Sequence, residues 1–148
     1  RLREMRDIVE IKKMYLSQYQ RDGLFESEIE DIEKSLGISL PNDFKAIANF
    51  FSGGRVGIIE FFDFRRSNPL NIIDETIRLR NSVGLSHNFV LLSEENESIV
   101  LLDLVNQPSI IWCDSIEINK AITRVFENEP DYWNDFSDLF FDMLNEEI

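Results

Sequence analysis

The sequence predicts an α+β fold, with helices packed on a mostly antiparallel sheet. Three observations predict it. Apolar residues recur at helical spacing through the first fifty or so positions. The period then shortens to two, and three short apolar runs follow at hairpin spacing. An amphipathic helix closes the chain. Grouping elements by type in this way argues against alternating βαβ units.

Residues 2–20 read as a helix, with Leu2, Met5, Val9, Leu16 and Tyr19 on its apolar stripe and Lys12 and Lys13 interrupting it. Gly23 ends the segment. Ser27 and Glu30 have capping-box spacing, in which hydroxyl and carboxylate satisfy free amides at a helix start. Ile29, Ile32 and Leu36 share one face of the helix that follows, and Gly37 supplies the left-handed residue that ends it. Ile38-Ser39-Leu40 crosses to a second helix. Pro41 suits its first turn, where the amide that proline lacks would be unpaired anyway. Phe44, Ile47, Ala48 and Phe51 form the buried stripe, and Gly53-Gly54 stops the helix.

Residues 56–64 read as one or two strands, with Gly57 at a bulge. Residues 65–69 form a loop, and 70–81 a helix carrying Ile73 and Ile77 inward. Strands follow at 89–92, 99–104 and 110–113, separated by turns at 94–98 and 106–109. Residues 116–126 fit either strand or helix. Residues 135–144 form the last helix, with Phe136, Leu139, Phe140 and Met143 on one side. The acids around them are expected on its wet face.

Charge bounds the partners. The net charge is −13, and no Lys or Arg follows Arg124. Residues 92–148 hold fourteen acids against Lys120 and Arg124. Such a field repels nucleic acid and anionic membrane and attracts cationic partners. Solubility alone also favours an acidic surface. Basic residues pair at Arg65-Arg66 and at Arg78 and Arg80, too few in so acidic a chain for a nucleic-acid site. Twelve Phe predict an aromatic core. No apolar run is long enough to span a membrane, and the first seven residues lack a signal-peptide apolar region. A single cysteine excludes an internal disulfide and fits a reducing cytosol.

Little catalytic chemistry is legible. His87 is alone and follows a helix stop, as a surface or hydrogen-bonding residue would. Cys113 ends the apolar run Ile110-Ile111-Trp112, the context of a buried, inert thiol. Metal sites built from Cys and His ligands need more of both. No phosphate-binding glycine motif is present, and Gly53-Gly54 follows a helix, as a helix stop does. Glu94-Glu95-Asn96-Glu97 matches neither an EF-hand loop nor a paired-carboxylate hydrolase. At a hairpin turn it reads as a solvated tip or a partner contact.

The segment 28–54 carries a family resemblance. Leu36-Gly37 ends a helix, Leu40-Pro41 starts the next, Asp43-Phe44-Lys45 opens it, and Gly53-Gly54 closes it. This resembles the opening of the SUKH superfamily. Ile99-Val100-Leu101-Leu102-Asp103 is similar to that family's apolar strand ending in Leu-Asp, with Trp112 at an aromatic position of the next strand. Asp135-Phe136-Ser137-Asp138-Leu139-Phe140 is similar to its closing helix. The family's glycine-rich turn before the Leu-Asp strand is here Glu94-Glu95-Asn96-Glu97-Ser98. The resemblance implies one SUKH-like domain over 1–148, with an additional N-terminal helix in 1–22 and a core at 26–144.

It also implies a function. Bacterial members are cytoplasmic immunity proteins, antitoxins that protect against a polymorphic toxin, often a nuclease. Some eukaryotic members regulate cell-wall synthesis and signalling. Every matched residue is a cap, a core apolar residue or a turn glycine, so no active site and no cofactor is carried across. The expectation is a non-enzymatic protein that binds a cognate secreted toxin, a basic nuclease domain, through its acidic surface. Candidate contacts are Glu94, Glu95 and Glu97 at the hairpin tip, with Asp114, Glu127, Glu129 and Asp131 near the last helix. The alternative is a regulatory module with a cellular protein partner, which ordinarily has disordered flanks.

Overall fold

The computed structural model describes residues 7–146. Helices α1 (Ile8–Gln18), α2 (Glu26–Leu36) and α3 (Asn42–Ala48) come first. A small hairpin follows, β1 (Gly54–Val56) and β2 (Ile59–Phe61), then helix α4 (Ile72–Val83). Strands β3 (Phe89–Glu95), β4 (Ser98–Asp103) and β5 (Ile110–Asp114) form a meander. A 3-10 helix (Ser115–Lys120), strand β6 (Asp131–Trp133) and helix α5 (Phe136–Asn145) complete the chain. The main sheet is antiparallel throughout, in the order β3-β4-β5-β6. This is the expected α+β architecture.

Both faces of that sheet are covered. Val90, Leu92, Val100, Leu102 and Ile110 point into the larger core, with the apolar sides of α1, α2, α3 and α5. Phe89, Leu91, Ile99, Leu101, Ile111 and Cys113 point into a second core, closed by Leu79, Leu85, Ile118 and Ala121. Burial on both faces explains why β3 and β4 read as unbroken apolar runs rather than alternating ones. The larger core is aromatic, as twelve Phe suggest. Phe140 lies within 4.9–6.2 Å of the rings of Tyr15, Phe50, Phe51 and Phe136.

The sheet's β3 edge is protected. The Phe62 amide donates to the Leu92 carbonyl at 2.9 Å, and the Leu91 amide donates to Thr76 Oγ1 at 3.0 Å. A bulge at this point lets β2 and α4 share that edge.

Several local expectations are corrected. The buried residues of α1 are Ile11 and Tyr15, while Val9 and Leu16 are exposed. Leu2 and Met5 lie outside the described residues. Apolar side chains surround α1, and packing on α3 and α5 selects the Ile11–Tyr15 stripe. The α2 cap lies two residues earlier than Ser27–Glu30: the Phe25 amide donates to Glu28 Oε1 at 2.8 Å. Gly23 does not end α1, whose C-cap is Tyr19. Instead, a Cβ on Gly23 would fall 1.8 Å from the Asn49 carbonyl oxygen, so the chain crosses there only as glycine. Gly57 is the first residue of the β1–β2 turn, at φ +60, not a bulge. The stretch 116–126 is neither strand nor α-helix but a 3-10 helix followed by turns.

The last helix is also less wet than expected. Asp135 caps it by accepting from the Asp138 amide at 2.9 Å and Asp138 is itself buried, whereas Asp142 is exposed as expected and accepts from Trp133 Nε1 at 2.7 Å.

Candidate partner-binding surface

The β3–β4 hairpin turns through Asn96 and Glu97, closed by the Glu95–Ser98 pair. Both turn residues have positive φ, 53° and 63°. A two-residue hairpin turn with this twist demands that geometry, and glycine or asparagine supplies it at least cost. Glu97 is strained there. Its carbonyl accepts from the Ser115 amide at 2.8 Å, which fixes the hairpin tip against the start of the 3-10 helix.

A second tie holds the approach to β6. Glu117, one residue beyond the exposed Ile116, is buried. Its carboxylate accepts from the Glu127 amide at 2.6 Å and the Asn128 amide at 3.2 Å, with Lys120 Nζ at 3.4 Å. The Glu127 amide, then the Asn128 amide and Lys120, hold this carboxyl below the usual range. Asp114 Oδ2 accepts from Asn128 Nδ2 at 2.9 Å. In the sheet register Ser98 faces Asp114 and Trp112 faces Asp131.

These ties gather Glu97, Asp114, Glu127 and Asp131 at one end of the sheet, with Glu129 on the same connection. Among the described residues, none of the five forms an ion pair. Glu94 and Glu95 behave differently. Arg78 Nη2 lies 2.6 Å from Glu94, and Arg55 Nη2 lies 2.6 Å from Glu95. Both partners are far away in sequence, so no spacing marks these pairs. Sequence reasoning also missed Ile116 and Glu117; an acid between two isoleucines was the only available signal.

The opposite end of the sheet also carries carboxylates, but they are used internally. Asp103 is buried, paired with Arg124 Nη2 at 2.8 Å, and accepts from the Val105 and Asn106 amides at 2.9 and 3.0 Å. Asp43 accepts from the Phe44 and Ser137 amides, both at 2.9 Å, and so joins α3 to α5. Burial pushes its carboxyl up despite those bonds. With Asp135 these groups line an open cleft beside the β4–β5 connection.

Cys113 is buried, and burial, then Glu117 and Asp114, push its thiol up to about 12. His87 is exposed. Among the described residues, no group of three or more His, Cys, Asp or Glu could hold a metal ion. No described helix is long and apolar enough to cross a membrane.

The family description SUKH_5, SMI1-KNR4 cell-wall, matches residues 5–144. The chain belongs to this SUKH family. No curated protein matches it. The SUKH-like motif residues hold the fold. Gly37 has φ +67 at the end of α2, and Leu36 and Phe44 are fully buried. Leu102 faces the larger core, while Asp103 anchors Arg124. The glycine-free turn of this SUKH chain puts Glu97 at the acidic sheet end.

Proposed function

We propose that this SUKH protein is an immunity protein. It binds a cognate secreted toxin domain, a basic nuclease domain, in the cytoplasm and blocks it stoichiometrically without chemistry. Family membership supports the general type, and one observation carries the reading: among the described residues, Glu97, Asp114, Glu127, Glu129 and Asp131 share one sheet end and form no ion pair, the Lys120 beside them being paired with the buried Glu117, whereas Glu94 and Glu95 are paired. A nuclease presents cationic groups to bind phosphate. An acidic surface fixed by backbone ties meets such a cleft with little reorganisation, and charge complementarity raises the association rate that interception requires.

The test uses the toxin domain encoded beside this gene. A one-to-one complex that abolishes toxin activity is expected, with an association rate that falls by about tenfold or more as salt rises. Glu127→Lys with Glu129→Lys should slow association further. Absence of a complex, or rates indifferent to salt, would count against the proposal. The second reading, a non-enzymatic regulatory module with a cellular protein partner, is favoured by the cell-wall description of the matching family. It is supported instead if the toxin domain retains full activity in the complex.

A further inference from the structure

We infer that Ile116 is the apolar anchor of the acidic sheet end, and that its partner presents an apolar pocket ringed by Lys or Arg. This inference rests on the reading that the protein binds a cationic toxin domain. Among the ten exposed large apolar residues of the described chain, Ile116, Ile122 and Val125 come from the connection 115–126 between β5 and β6. Ile116 is the most exposed, at 90%.

The connection does not leave Ile116 outside by looseness. On one side, the Ser115 amide is bonded to the Glu97 carbonyl. On the other, Glu117 is buried and bonded to the amides of Glu127 and Asn128. Further along, Ile118 and Ala121 pack in the second core, and Arg124 is paired with Asp103. With both neighbours pinned, the aliphatic side chain is held outward on a fixed backbone. A pinned backbone and a β-branched side chain with few χ1 rotamers leave little freedom to lose on docking, so most of the burial appears as affinity.

The surroundings select the partner. The Ser115–Glu97 and Glu127–Glu117 bonds bring Glu97 and Glu127 to the two residues that flank Ile116, and Asp114 stands two positions before it. A central apolar group within a polar rim is the usual organisation of a binding hot spot, in which the rim excludes water from the anchor. Among the described residues these three rim carboxylates form no ion pair, and the Lys120 ammonium nearby is taken up by the buried Glu117. Apolar surfaces without cations are disfavoured by those carboxylates, and cationic surfaces without a pocket leave Ile116 hydrated. The apolar group governs dissociation, while the rim governs encounter.

The experiment measures binding kinetics of the toxin domain encoded beside this gene to four proteins: wild type, Ile116→Ser, Ile116→Val and Val9→Ser. Val9 is an exposed aliphatic on α1 and serves as the control. Ile116→Ser is expected to dissociate about tenfold or more faster, with its association rate and salt dependence unchanged. Ile116→Val and Val9→Ser should stay within about threefold of wild type, as conservative and remote changes do. Dissociation of Ile116→Ser within about twofold of wild type overturns the anchor while leaving the immunity reading intact. Failure of the wild-type protein to bind overturns both.

Discussion

Arg65 shows how much one side chain can organise. Its guanidinium donates to Asp22 Oδ1 at 3.0 Å, the Gly23 carbonyl at 2.6 Å, Glu28 Oε2 at 3.1 Å and Ser52 Oγ at 2.7 Å. One fork thus ties the α1–α2 connection to the start of α2 and the end of the α3 segment. Arg65→Ala is expected to cost about 2–4 kcal/mol in urea unfolding, and Arg65→Lys to restore only part of it, since an ammonium lacks the planar fork. Glu97 is the opposite case, a residue that weakens its own turn. Glu97→Gly should raise stability by about 1 kcal/mol, because glycine adopts positive φ without strain, while slowing association with the toxin domain. Cys113 adds a pH effect. Burial, then Glu117 and Asp114, push its thiol in the fold up to about 12, above the unfolded value of about 8.5, so the native state keeps a proton that the unfolded chain loses. This contribution is fully present below about pH 8.5 and declines as pH rises toward 12, by at most about 1.4 kcal/mol per unit. The stability difference between wild type and Cys113→Ala should shrink over that range. Burial of this thiol was legible in the run before it; the four partners of Arg65 were not, because they lie up to 43 residues away.

At the level of elements, the legible ones have a single apolar face and clear punctuation. Helix α5 buries Phe136, Leu139, Phe140 and Met143 as its pattern requires, and Gly37 ends α2 as a left-handed residue. Helix α1 lacks this clarity. Ile8, Ile11, Met14 and Tyr15 compete with Val9 and Leu16 for the inner face, and the Tyr15 ring decides by packing among Tyr19, Phe50, Phe51 and Phe140. Tyr15→Ala should therefore cost about 3–5 kcal/mol, and Val9→Ser within about 0.5 kcal/mol, by thermal or urea unfolding. The reverse ranking would restore the Val9–Leu16 stripe. Strand β6 is three residues long and carries no alternation of its own. Pairing with β5 and the stacking of Trp133 on Trp112, at 6.1 Å, make it a strand.

For the whole molecule, a net charge of −13 carries a stability cost as well as a steering field. Raising salt from about 0.01 to about 0.2 M shortens the screening length roughly fourfold, and Tm should rise by a few degrees. A fall in Tm would mean that the internal pairs at Arg65, Arg78 and Arg124 outweigh the repulsion. The sequence by itself determined the fold class, the helical stripe at α5, the aromatic core and the sign of the field, and of the α3 stripe it determined Phe44, Ile47 and Ala48, the helix ending at Ala48 before Phe51 and Gly53. These depend on local periodicity and composition, which a linear chain records directly. Only the tertiary structure decided which acids are free. Glu94, Glu95, Asp103 and Asp138 look no different in sequence from Glu97 and Glu127. Yet the first two meet arginines, the next two are buried, and the last two stand at the sheet end with no ion pair among the described residues. Strand register and long-range contacts set that difference, and so they also set where a cationic partner would meet this protein.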